Sequence, residues 1–314
     1  MLSRTADCLF WLARYLERAE NVARILSVGH RLASIASIRS EQNEWHSTLA
    51  AVGCEAGFFQ KHAEATGEAV VDYLVRDPDN PSSILTCLQT ARSNGRSVRT
   101  ALTVDMWEVL NDTWLAARAL GPGEFTPDRL AGFLDWVKQR SLMFNGAYHA
   151  TLLRGDGYHF TQLGTFLERA DNTARLLDVK YHVLLPEGAD VGGALDYYQW
   201  EAILRAASAL RAYHFLYHAR LKPWLVAELL ILHPQMPRSL LSCYGQISRY
   251  LDRLTEGHGG ERGECHRLAG ELHARLRYGR TDAIMQMGLH EFLTDMIDRT
   301  GDLGREISDC YLLS

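Results

Sequence analysis

Leu9, Leu12, Leu16, Ala19, Ala23 and Leu26 recur at alternating spacings of three and four residues, which places them on one face of a helix. Ser3 or Thr5 is positioned to cap the start of that helix. Phe125-Thr126-Pro127-Asp128 predicts a second helix start, with Thr126 as the cap and Pro127 in the first turn. Apolar–polar alternation long enough for a useful strand is absent, so the pattern predicts an all-α chain. Loops are expected at Asp77-Pro78-Asp79-Asn80-Pro81, Gly121-Pro122-Gly123, Arg154-Gly155-Asp156-Gly157 and Pro186-Glu187-Gly188, and along the run from Glu256 to Glu264. The most apolar stretch, Leu221 to Leu232, contains Lys222, Pro223 and Glu228 and is too short to span a bilayer.

Three segments occur twice. Leu16-Glu17-Arg18-Ala19-Glu20-Asn21-Val22-Ala23-Arg24 returns as Leu167-Glu168-Arg169-Ala170-Asp171-Asn172-Thr173-Ala174-Arg175. Trp45-His46-Ser47-Thr48-Leu49 returns as Trp200-Glu201-Ala202-Ile203-Leu204, and Pro81-Ser82-Ser83-Ile84-Leu85-Thr86-Cys87 as Pro237-Arg238-Ser239-Leu240-Leu241-Ser242-Cys243. The offsets are 151, 155 and 156 residues, in the same order along the chain. Collinear matches at nearly one offset predict an internal duplication, with one helical half over residues 1–150 and a second over 151–314. Small residues stand in the middle of each repeated stripe: Ala19 and Ala23, then Ala170 and Ala174. They allow a close helix neighbour. The expected architecture is therefore a multi-helix bundle with its two first helices packed on each other across a pseudo-two-fold axis, forming one continuous body.

The polar residues of the repeat sharpen the picture. Against an a/d apolar stripe, Glu17, Arg18, Asn21 and Arg24 fall at b, c, f and b, positions that normally face water and drift freely. Glu168, Arg169, Asn172 and Arg175 repeat them without change, while Phe10 has drifted to Thr161 in the core pattern. One reading is a buried charge network, with Glu17 reaching Asn21 one turn along and the arginines bridging to neighbouring helices. Another is a cleft for an anionic or peptide ligand, with the arginines as anchors. A carboxylate-bridged metal site is the weakest, because the acid pairs Glu17/Glu20 and Glu168/Asp171 lack the Glu-x-x-His partner of di-iron bundles. No metal and no cofactor are expected.

Other candidate chemistry falls away on context. His214 and His218 stand four apart but without the intervening acid of a zinc-protease helix. The glycine-rich run Gly257-His258-Gly259-Gly260-Glu261-Arg262-Gly263 follows no strand and reads as a helix connection, not a phosphate loop. Pro237-Arg238-Ser239 resembles a helix start, and Arg238 has no charged counterpart at Ser82. No Ser/His/Asp or Cys/His set can be assembled from spacing. The formal net charge of −5 gives no support to non-specific nucleic-acid binding. The six cysteines form no C-x-x-C pair, and Arg4, Asp7, Arg14 and Glu17 break up any signal-peptide apolar core, so a reduced, cytoplasmic setting is expected.

The segment Phe10-Trp11-Leu12-Ala13-Arg14-Tyr15-Leu16-Glu17-Arg18-Ala19-Glu20-Asn21 resembles the start of the alpha-E domain family, bacterial all-helical proteins long treated as a domain of unknown function. The likeness continues through Phe166-Leu167-Glu168-Arg169-Ala170-Asp171, Trp200 and Pro237-Arg238-Ser239, essentially the whole chain. In one place it departs: the family usually carries Gly-Arg ahead of the second motif, and here Gly164 is followed by Thr165. The resemblance implies a setting beside, or fused to, a circularly permuted ATP-grasp protein. The implied role is an accessory subunit in ATP-dependent peptide or amide-bond synthesis. Two alternatives stay open: an enzyme on peptide-like substrates using Glu17 or Glu168 as general acid or base, and a stand-alone helical scaffold or ligand-binding protein. Neither nucleic acid nor membrane is expected as a partner.

Overall fold

A computed structural model describes residues 3–34, 38–182, 193–257 and 260–312. Helices follow one another through the described residues, and no strand occurs among them. The first half contains α1 (Ser3–Ala33), α2 (Ile38–Val52), α3 (Glu55–Phe59), α4 (Gly67–Val75), α5 (Ile84–Ser97), α6 (Val104–Ala119) and α7 (Pro127–Thr151). The second contains α8 (Asp156–His182), α9 (Ala194–Ala206), α10 (Leu210–Tyr217), α11 (Pro223–Ala227), α12 (Leu240–Gly257), α13 (Glu264–Arg277), α14 (Thr281–Met287) and α15 (Leu289–Tyr311). The loop between α7 and α8 falls at 152–155, next to the boundary expected between the halves.

α1 and α8 pack on each other at the centre of the molecule. Their closest approach is set by Gly164, where a Cβ would lie 2.3 Å from the backbone oxygen of Phe10. Any side chain at 164 would wedge the helices apart, so a glycine is required here by the crossing itself. α1 is then enclosed on nearly every side. Leu9, Leu12, Leu16, Ala19, Ala23 and Leu26 face an apolar core built mainly from α2 and α4–α7. Phe10, Ile25, Val28 and Leu32 face a second core built from α8 and the helices that follow it. The six-residue stripe visible in the sequence is thus only one of two buried faces.

Local signals behave unevenly. Thr126 precedes α7 with Pro127 at its first position, as expected, but the Thr126 hydroxyl donates to the carbonyl of Gly123 and does not cap the helix. Ser3 and Thr5 both lie inside α1, not before it. Ser83 caps α5 by accepting from the Thr86 N–H, and Ser239 accepts from the Ser242 N–H in the same way. The apolar stretch Leu221 to Leu232 is a core segment, α11 running into a single π turn that buries Leu229, Leu230 and Ile231. No helix among the described residues is long and apolar enough to cross a membrane. The expected loop at Pro186-Glu187-Gly188 lies outside the described residues, as do His258 and Gly259 of the glycine-rich run.

Candidate functional site: a crossed arginine–carboxylate network

Glu17 and Arg18 lie side by side on α1, Glu168 and Arg169 on α8, and each pair exchanges partners with the other. Arg169 donates from Nε and Nη2 to the two carboxylate oxygens of Glu17, at 3.0 and 2.9 Å. Arg18 donates from Nε and Nη2 to those of Glu168, at 2.6 and 3.1 Å. Both are two-pronged guanidinium–carboxylate contacts, the geometry that fixes orientation as well as distance. A second arginine completes each cluster. Arg238 Nη1 donates to Glu17 at 2.9 Å, and Arg14 Nε donates to Glu168 at 2.8 Å. The carboxylates are shielded from water, each side chain being 2% exposed.

Next to this cross, Glu20 is fully enclosed and serves as a hub. It accepts from Arg24 Nε and Nη2 at 2.9 and 2.6 Å, from Arg238 Nη2, and from the hydroxyl of Ser141 on α7. Arg24 continues to the far end of α9, donating from Nη1 to the carbonyl of Ala206 and, at 3.1 Å, to Ser208 Oγ. Ser208 holds a left-handed backbone with φ of 57°. In the first half the residue 155 positions earlier is Gly53, also left-handed at φ of 74°, and Arg175 Nη1 lies 2.9 Å from where a Gly53 Cβ would stand. Each arginine thus reaches the turn that ends a helix of the other half, and Arg24 takes up the free Ala206 carbonyl there. Arg175 also pairs with Asp171 one turn back on α8, at 2.7 Å. Asn172 donates to the backbone oxygen of Glu17 at 3.3 Å, and Asn21 is buried.

Of the eight residues singled out from the sequence, Glu17, Arg18, Glu168, Arg169 and Asn172 join α1 to α8, Asn21 is buried, and Arg24 and Arg175 reach the turns after α9 and α2; Arg18 and Arg175 stay partly exposed. The expected Glu17–Asn21 contact within α1 is replaced: both Glu17 oxygens are taken by arginines from the second half, a charged donor outcompeting a neutral amide. Arg14, Ser141 and the binding role of Arg238 were not legible beforehand, and Glu20 was weighed only as half of a metal-binding acid pair. Arg14 had one signal, since it precedes Arg18 by one helical turn and shares its face. Thr165, at the position where the resemblance implied an arginine, is buried and donates to the Thr161 carbonyl. The second guanidinium on Glu17 comes from Arg238.

The electrostatics follow from this enclosure. Burial on its own would push the Glu17 carboxyl up, but Arg169, Arg238 and Arg24 overcome it and hold Glu17 at about 2. Burial is likewise outweighed at Glu168, which Arg14 and Arg18 hold at about 2. Burial opposes charge on Arg18 and Arg169 too, yet the facing carboxylates shift both upward. Arg24 shifts downward, through burial and then the like charge of Arg238. Carboxylates held this way stay ionised at neutral pH and are poor proton carriers there. Among the described residues no group of three or more His, Cys, Asp or Glu side chains gathers as a metal site. A cavity of about 560 Å³ with Trp45, Gly67, Val71 and Leu130 in its walls is lined by none of the eight residues.

This is a helical protein organised around buried, crossed Glu-Arg pairs on two central helices. The chain belongs to the Alpha-E family, described as a predicted alpha-helical domain with a conserved ER motif, whose model matches residues 1–312. Glu-Arg occurs at 17–18 and 168–169, the two arms of the cross, and once more at 261–262 in a connection between helices. Similar proteins include an uncharacterized protein of Mycobacterium bovis and uncharacterized proteins of two Mycobacterium tuberculosis strains, each 24% identical over 98% of this chain. The chain spans only 36% of the length of those relatives. No solved structure matches it.

Proposed function

We propose that this protein is a non-catalytic partner subunit of a circularly permuted ATP-grasp protein, acting in the cytoplasm in the formation of peptide or amide bonds. The observation that carries the reading is the state of its most distinctive residues. Glu17 and Glu168 are saturated by arginines of the same chain and held at about 2, which suits a rigid frame and opposes acid–base work at neutral pH. The relatives support attachment to something larger, because in them the matching region is about a third of a longer polypeptide. The identity of the partner rests on the family resemblance.

The frame is best understood as a product of duplication, its halves meeting about a pseudo-two-fold axis through the α1–α8 crossing. Reciprocal Glu17–Arg169 and Glu168–Arg18 pairs, and left-handed turns at Gly53 and Ser208, support this. The functional test is a pull-down and ligase assay with the ATP-grasp protein of the same genome, with and without this chain. Binding and a change in ligase rate are expected, with no ATP hydrolysis by this chain alone. Turnover of a peptide substrate by the isolated chain, lost in a folded Glu17→Gln or Glu168→Gln variant, would overturn the proposal in favour of an enzyme.

A further inference from the structure

We propose that Cys265 and Cys310 form a two-thiol redox site, closed into a disulfide by a peroxide and reopened by a dithiol. The two are far apart in the chain. Cys265 lies in the first turn of α13 and Cys310 in the last turn of α15, and these helices pack on each other. Gly263 stands just before α13, and a Cβ there would lie 2.8 Å from Cys310 Sγ. The Cys310 sulfur therefore rests on the bare backbone at the entry to α13, two residues ahead of Cys265. From there the thiols of Cys265 and Cys310 hydrogen-bond to each other. Both are free in this structure.

The two sulfurs differ in the way such a site needs. Cys310 is exposed, whereas Cys8, Cys87, Cys243 and Cys265 are buried and Cys54 is partly covered. Cys87 and Cys243 turn their thiols towards the backbone carbonyls of Pro81 and Pro237, inside the core. Cys265 is fully buried, and burial followed by its contact with Cys310 pushes its thiol up, so it stays protonated at neutral pH. An oxidant from solvent reaches Cys310, and only Cys310 can pass the reaction on to Cys265. His266 fixes the inner half. Its Nδ1 accepts from the Gly263 N–H at 3.1 Å and lies 3.4 Å from Cys265 Sγ. With Nδ1 accepting, Nε2 carries the hydrogen and donates to Thr255 Oγ1 at 2.6 Å, tying the first turn of α13 to α12.

The chemistry balances with hydrogen peroxide as the oxidant. The Cys310 thiolate attacks one peroxide oxygen, the O–O bond breaks, and the departing hydroxide takes up the Cys310 proton as water. Cys310 is then a sulfenic acid, oxidised by two electrons. The Cys265 sulfur attacks the Cys310 sulfur, the S–O bond breaks, and the leaving hydroxyl takes the Cys265 proton as a second water. A dithiol reverses the result by thiol–disulfide exchange, entering at the exposed Cys310 sulfur. Closure ties the last turn of α15 to the first turn of α13. α15 packs on α8, where a Cβ at Gly304 would lie 3.3 Å from Leu167 and 3.6 Å from Arg14 Nη1. The link thus pins the helix that backs the Arg14–Glu168 arm of the network.

The experiment treats the reduced full chain with hydrogen peroxide in native buffer, blocks the remaining thiols, and maps the peptides by mass spectrometry. The expected product is a monomer whose Cys265 and Cys310 peptides are joined with the loss of two hydrogen atoms, while Cys87 and Cys243 stay free thiols. The joined form should melt roughly 5 °C above the reduced form, because the link closes a long loop, and dithiothreitol should return both mass and melting temperature. Cys310→Ser, at an exposed position, should abolish the link, and Cys265→Ser should leave Cys310 as a sulfinic acid. Three results would overturn the proposal: Cys310 of the parent passing to sulfinic acid without a link, a link between two chains through Cys310, or a Cys265–Cys310 link that appears only in denaturant. A link that lowers the melting temperature would do the same, since a site built for closure closes without distorting the fold.

Discussion

Removing the Glu17 carboxylate would strand the Arg169 guanidinium and leave Arg238 with one carboxylate in place of two. In Glu17→Ala, Arg169 loses both of its bonds to that residue and Arg238 keeps only Glu20. Breaking one side of a buried ion pair typically costs about 3–5 kcal/mol, since the remaining charge has lost its partner but not its burial. The lowered pKa gives a figure of the same size. A carboxyl held at about 2 in place of its ordinary 4.5 represents about 3 kcal/mol of preferential stabilisation of the ionised form. With an unfolding entropy of roughly 2 cal/mol/K per residue, a chain of 314 residues loses about 5–8 °C of melting temperature. Differential scanning calorimetry at pH 7 reads it directly. The double variant Glu17→Met/Arg169→Met should recover a good part of the loss, because both members of the main pair leave together and Arg238 still has Glu20. A shift below 1 °C for Glu17→Ala, or a double variant less stable than the single, would refute the argument that this pair is a buried structural link.

Three further outcomes are expected. Glu17 and Glu168 have lowered pKa values, so the stability they confer is complete above pH about 4.5 and is lost as the pH falls towards 2; urea midpoints measured down this range should drop more steeply for the parent than for Glu168→Gln. Gly164→Ala should cost about 1–3 kcal/mol by forcing α1 and α8 apart at Phe10, whereas Gly132→Ala, which meets nothing within 4 Å, should be neutral or mildly stabilising; equal thermal shifts for the two would contradict the close crossing. Glu44 is pushed up to about 7 by burial, against the opposing pull of Lys180, and its Oε2 has no hydrogen-bond partner. A raised carboxyl weakens the fold as pH climbs from about 4.5 to 7, so Glu44→Gln should be more stable than the parent at pH 8 and close to it at pH 5, read by denaturant midpoints.

Much of this molecule could be read without coordinates, and the limits of that reading are instructive. Leu9 through Leu26 announced a helix because i+3 and i+4 spacing is a property of the local chain. The unchanged Glu, Arg, Asn and Arg of the two repeats pointed to a constrained face, since positions free to face water have no reason to match. Their partners were another matter. Glu17 was expected to find Asn21 on its own helix, because only local neighbours are visible in a sequence, and the structure gives it Arg169 and Arg238, 152 and 221 residues away. Arg238 stood out only as a charge missing from the other copy. His214 and His218 show the same limit from the other side: their spacing put them one turn apart on one helix, and the structure ends that helix at Tyr217, with His218 left-handed at φ of 47°.

Residue order by itself determined the helices, the repeated motif and the residues under constraint, because these depend on periodicity and on comparison of the chain with itself. Tertiary structure decided how many faces of α1 are buried and which arginine answers which carboxylate. Those outcomes depend on two helices crossing near Gly164, a contact made across more than 150 residues of intervening chain. Charge pairing in a water-poor interior is short-ranged and strongly directional, so its partners are set by that crossing and not by distance along the sequence.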